Sequence, residues 1–141
     1  MTAASALLVA ASAGSGLVAG IFFAFSTFVL AALDRLPPED AAAAMRAINV
    51  TVLNPLFFAA FFGTGGLALA AAVVHWPDPA VLGAAVCYLA GTIGVTIAGN
   101  VPLNERLARG GLDWPGYRRP WGRWNHVRAA AALAAAVLFP L

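Results

Sequence analysis

The sequence predicts an all-α fold, a bundle of four transmembrane helices with a short interfacial helix between helices 1 and 2. It would form a single integral membrane domain over residues 1–141. Three observations predict this. Hydrophobic residues make up 62% of the chain and charged residues 10%, against about 25% charged in a soluble domain. The apolar residues gather into runs long enough to cross a hydrocarbon core of about 30 Å. All eight basic residues are arginines, and they fall in two segments, 34–51 and 105–128.

The first span is expected over about residues 4–33. It has no basic leader and is too long for the apolar part of a signal peptide. Leu36-Pro37-Pro38-Glu39-Asp40 signals a helix start, and the Ala-rich run to Asn49 is too short to span, so it is placed at the interface. The second span, about 52–74, opens with Asn54-Pro55 and carries Phe57, Phe58, Phe61 and Phe62 on one face. His75-Trp76-Pro77-Asp78-Pro79 turns the chain. In the third span, about 80–104, Thr92, Thr96, Asn100 and Asn104 repeat every four residues and form a polar stripe. Pro102 should bend or end this helix. Residues 105–120 read as a basic loop. The fourth span, about 121–141, must begin near Trp121, because only thirteen residues follow Arg128 and these reach about 20 Å.

With four spans the two arginine-bearing segments share one side. The positive-inside rule makes that side cytoplasmic and puts both termini outside, in a bacterial inner membrane. The formal net charge of +2 is too small to suggest nucleic-acid binding. Cys87 stands alone, so no internal disulfide is available. Gly16, Gly20, Gly91 and Gly94 thin their helices, and small residues let membrane helices approach closely; a homo-oligomer is expected.

The densest polar and aromatic cluster is Trp121-Gly122-Arg123-Trp124-Asn125-His126-Val127-Arg128. Ionisable residues within a membrane are costly and are functional candidates. The candidate catalytic residues are His126, Asn100, Asn125 and Arg128. The candidate substrate-binding residues are Asn54, Ser26, Phe25, Phe58, Phe61, Trp121, Trp124 and Asn104. Asn54, Asn100, Asn125, His126 and Arg128 are expected to line one cavity open to the cytoplasmic side, with Phe25, Phe58, Phe61 and Trp124 as walls. The same Asn and Thr residues also suit plain interhelical hydrogen bonds, and Arg128 also suits an interfacial anchor. His126 has no Cys, Asp or Glu at ligand spacing and makes a poor metal site. No cofactor is predicted; metal and haem are left open.

Gly20-Ile21-Phe22-Phe23-Ala24-Phe25-Ser26, Ala44-Met45-Arg46-Ala47-Ile48-Asn49, Leu53-Asn54-Pro55, Gly99-Asn100-Val101-Pro102-Leu103-Asn104 and Trp121–Arg128 occur in this order. In these motifs the chain resembles the small four-helix membrane proteins that include the fungal anthrone oxygenases. Most bacterial members are known only as a domain of unknown function. The resemblance implies O₂-dependent oxygenation of an apolar aromatic small molecule within the bilayer. Proton loss from an activated aryl methylene gives a carbanion that can reduce O₂ without metal or flavin, given a base and oxyanion donors. We assign His126 as base, Asn100 and Asn125 as donors, Arg128 as anion stabiliser and Trp124 as a wall. The competing reading is a non-enzymatic membrane protein that binds a lipid, a quinone or a partner helix.

Overall fold

The computed structural model describes residues 1–141, and all of its regular structure is helical. Five helices follow one another: α1 (Ala3–Leu33), α2 (Pro38–Thr51), α3 (Pro55–Val74), α4 (Pro79–Ala108) and α5 (Trp114–Leu138). Local chemistry sets their starts. The side chains of Thr2, Asn54, Asp78 and Asp113 accept hydrogen bonds from the first free backbone N–H groups of α1, α3, α4 and α5. Each such cap is worth about 1 kcal/mol. Prolines occupy the first turns of α2 to α5, where a missing N–H costs nothing. Gly110, at φ 73°, turns the chain out of α4, a conformation that side chains with a Cβ rarely adopt.

Helices α1, α3 and α4 are long and apolar enough to cross a membrane. Their outward side chains suit lipid: Phe23, Phe28, Leu56, Leu69, Val73 and Val86 are all exposed. The protein is therefore a multi-pass helical membrane protein. Helix α5 has 25 residues, but Arg118, Arg119, Arg123 and Arg128 crowd its first part.

Helix α1 packs along α5 and α3, and α4 packs against α5 and α3. Close approach is built into the sequence. Gly14 lies against the Thr64 side chain with no room for a Cβ. Ser12 Oγ donates to the Ala136 carbonyl at 2.7 Å, and Tyr88 Oη donates to the Phe61 carbonyl at 2.9 Å. The buried apolar residues form two clusters. One centres on Phe22, Phe61, Tyr88 and Phe139. The other centres on Leu30, Met45, Leu107, Tyr117 and Trp121, where α2 covers the ends of α1, α4 and α5.

Several boundaries differ from expectation. Helix α3 starts at Pro55, not near Val52, because Asn54 is its cap. Helix α4 runs through Pro102 to Ala108. The proline falls where wide π-type turns at Thr96–Asn100 return to ordinary α turns, so its missing N–H coincides with a change of hydrogen-bond register. Helix α5 starts at Trp114, seven residues before Trp121, with Pro120 inside it. Asp113 and Pro115 supply a start signal, so the expected loop shrinks to 109–113. Gly91 faces Ala131 of the same chain, with 2.6 Å left for a Cβ; its smallness serves internal packing.

Candidate functional site

Trp121, Asn125 and Arg128 lie at i, i+4 and i+7 on α5, which puts them on one inward face. Arg128 is only 7% exposed. Its Nε and Nη2 donate to Asn125 Oδ1 at 3.1 and 2.9 Å, and its Nη1 donates to Thr96 Oγ1 at 3.2 Å. The guanidinium sits over the Phe22 ring at 3.9 Å and near the Trp121 ring at 5.0 Å. No carboxylate pairs with it; the ion pairs of the chain are Arg109–Glu105 and Arg118–Asp34. A guanidinium only donates, so the Asn125 oxygen must face it. The Asn125 amide nitrogen then donates to the Phe22 carbonyl and to Ser26 Oγ, both at 2.8 Å. Beyond it, Ser26 Oγ is 2.8 Å from His126 Nδ1.

Wide π-type turns flank this layer on two helices, Phe25–Val29 in α1 and Cys87–Gly94 with Thr96–Asn100 in α4. Such turns shift the register of the side chains that follow and recur at functional sites. Here they set Ser26, Thr92 and Thr96 toward α5: Thr92 Oγ1 donates to the Arg128 carbonyl at 3.3 Å.

A cavity of about 470 Å³ opens below the guanidinium. Its aromatic walls are Phe22, Phe25, Phe57 and Trp121. Arg128, Thr96 and Asn104 bring polar groups to it, α2 closes one side with Met45, Ile48 and Asn49, and Arg46 and Glu105 also border it. Asn104 Oδ1 accepts from Trp121 Nε1 and Tyr117 Oη, both at 2.8 Å, which holds the indole wall in place. Phe25 leans on Trp121 with ring centroids 5.5 Å apart.

The predicted residues are thus only partly together. Arg128, Trp121, Phe25 and Asn104 line the cavity. Asn125 stands behind Arg128 and holds it. Asn100 is fully buried; its amide nitrogen donates to the Trp121 carbonyl at 3.2 Å, while its Oδ1 has no partner. Phe61 lies in the neighbouring core, edge-on to Phe22. Phe58 is exposed, and Trp124 is half exposed, seated on Gly99. Asn54 caps α3. His126 lines a different feature, an open groove of about 650 Å³ between α1 and α5, together with Ser26. The five polar residues expected around one cavity therefore divide between the cavity, the core, a helix cap and this groove. Phe22, Phe57 and Arg46 border the cavity and were not singled out for it. A Phe at helical spacing signals burial but not which side it serves, and Arg46 read as part of an interfacial helix. No group of three or more His, Cys, Asp or Glu comes together.

Lipid-facing helices around a buried polar layer define a multi-pass helical membrane protein. The sequence model of the anthrone oxygenase family matches residues 43–138, and the chain belongs to that family. No curated protein and no solved structure matches. The matched segment runs from within α2 to the end of α5 and includes Asn104, Trp121, Asn125 and Arg128. Phe22, Phe25 and Ser26 on α1 lie before it.

Proposed function

We propose that this protein uses O₂ to oxygenate an apolar aromatic substrate in the cavity below Arg128. One observation carries the reading: a buried guanidinium without a carboxylate faces a cavity walled by aromatic rings. Three of its five N–H groups are engaged by Asn125 and Thr96, which leaves two for a ligand. A flat aromatic ketone fits between Phe25, Phe57 and Trp121 with its oxygen toward Arg128. Proton loss from its activated methylene puts negative charge on that oxygen, and a buried, fixed cation stabilises such charge.

The carbanion transfers an electron pair to O₂ and a C–O bond forms. Loss of the second methylene proton with cleavage of the O–O bond gives the ketone and water. The methylene carbon is oxidised and O₂ is reduced, so no further reductant is needed. Glu105 is the carboxylate that borders the cavity, and we assign it the base role in place of His126. Asn125 acts by holding Arg128.

In this reading α5 is the fourth span and α2 lies at the interface, covering the cavity mouth. The termini lie outside, and the arginine-bearing segments face the cytoplasm of a bacterial cell. The test supplies a hydroxylated anthrone and ¹⁸O₂ to the purified protein in nanodiscs. The ketone should carry one ¹⁸O per turnover, and Arg128→Gln should lose about 10²-fold or more in kcat. Equal turnover by that variant would remove the basis of the proposal.

A further inference from the structure

The groove between α1 and α5 is a second site, on the opposite side of the Asn125–Ser26 contact from the cavity. Its floor is small: Gly16, Ala19 and Gly20 on α1, Ala129 and Ala130 on α5, with Phe23 and Leu133 as flanks. A Cβ at Gly20 would meet nothing within 4 Å, so this space is not needed for packing within the chain. The groove is polar at one end only. Ser26 and Thr27 of α1 and His126 of α5 lie there, whereas Gly16 and Leu133 lie at the other end. Because α1 and α5 run antiparallel, both helices place their polar groups at the same level.

Helix α5 continues beyond that end in positive charge. Arg119, His126 and Leu133 are spaced by seven, a drift of only about 20° per step, and Arg123 lies one turn above His126. Arg119 and Arg123 are exposed and neither forms an ion pair. The nearest acid at the end of α1, Asp34, is already engaged, its Oδ1 by Trp114 Nε1 and its Oδ2 by Arg118 Nε, both at 2.9 Å. An apolar furrow with Ser26, Thr27 and His126 at one end, and with exposed, unpaired arginines further along the same helix beyond that end, has the polarity of a phospholipid.

We infer that this groove binds one anionic phospholipid, with its acyl chain along Gly16, Gly20 and Leu133 and its phosphate against Arg119, Arg123 and His126. A second copy of the chain suits the groove less well, because two-fold pairing there would bring the arginines of both copies together. The site does not depend on the oxygenase reading, since no catalytic step is assigned to it.

The experiment is native mass spectrometry of the protein released from nanodiscs that contain equal parts of dioleoylphosphatidylglycerol and dioleoylphosphatidylcholine. One phosphatidylglycerol should remain bound in preference to phosphatidylcholine. Arg119→Gln and Arg123→Gln should each weaken its retention about fivefold, the effect of roughly 1 kcal/mol per arginine near a membrane surface. Gly20→Leu fills an open space, so the variant should keep the wild-type unfolding temperature and lose the bound lipid. Equal retention of the two lipids, or retention unchanged in Gly20→Leu, overturns the inference. So does a wild-type dimer that Gly20→Leu converts to monomer, since the groove would then hold a second chain.

Discussion

Asn125 is the residue at which structural and chemical roles can be separated, by comparing Asn125→Ala with Asn125→Asp. In the wild type its oxygen accepts two hydrogen bonds from Arg128, and its nitrogen reaches the Phe22 carbonyl and Ser26. Alanine removes all four. Each bond to a charged group is worth about 1.5–3 kcal/mol, and removing the partner of a buried charge costs about 3–5 kcal/mol. Asn125→Ala should therefore destabilise by about 3–5 kcal/mol, lowering the unfolding temperature by about 10 °C or more. Aspartate keeps the acceptor and adds a charge, while Ser26 can rotate its hydroxyl to donate. The bond to the Phe22 carbonyl is lost and a carboxylate oxygen meets that carbonyl oxygen instead, at about 1–3 kcal/mol. Asn125→Asp should unfold at a higher temperature than Asn125→Ala, because it keeps both bonds to Arg128, yet its carboxylate neutralises the cation offered to the cavity. Its turnover of the anthrone should fall as far as that of Arg128→Gln. Tryptophan fluorescence during heating in detergent gives the stability, and oxygen uptake gives the turnover. Full activity in a stable Asn125→Asp protein would refute the idea that the charge of Arg128 serves catalysis. Unfolding of both variants to the same degree would refute its anchoring role.

Three other outcomes are expected. Gly99→Ala places a Cβ 2.6 Å from the Trp124 indole, so it should destabilise by about 1–3 kcal/mol, as read from the same melting curves. Glu105→Gln should slow turnover by about 10²-fold without changing the unfolding temperature, whereas His126→Gln should change it less than tenfold; the reverse order would return the base role to His126. Reporter fusions at Gly111 and Asp78 should report cytoplasmic and external locations respectively, and a cytoplasmic signal from Asp78 would invert the topology.

The helices were legible because their signals are local. Proline in the first turn with Asn or Asp just before it marks α3, α4 and α5, and the apolar runs fix which helices can meet lipid. The start of α5 shows how a correct signal can be outweighed. Asp113-Trp114-Pro115 is a good cap, but the glycines and the second proline around it read as a broken loop. A start near Trp121 then followed from length alone. The side of α5 that faces inward was legible in part: periodicity groups Trp121, Trp124, Asn125 and Arg128 on one face, and all but Trp124, which is exposed, are buried.

What periodicity could not supply was how the other helices meet that face. A stripe of Thr92, Thr96, Asn100 and Asn104 at strict α spacing should point one way along its length. The wide turns in α4 break that spacing, so the four residues do different things: Thr92 and Thr96 reach Arg128, Asn100 reaches the Trp121 carbonyl, and Asn104 fixes two aromatic side chains. In α1, Phe22 and Phe25 border the cavity, and the wide turn that begins at Phe25 lets Ser26 bridge toward His126. His126 and Arg128 are two residues apart, about 200° on a helix, so they could share a cavity only if it wrapped around α5. The bundle instead separates them, with Arg128 held between the two apolar clusters and His126 left on the open groove between α1 and α5. The conflict with a single-cavity site was present in the helix angle itself, and the Asn125–Ser26 contact is how the fold connects the two sides.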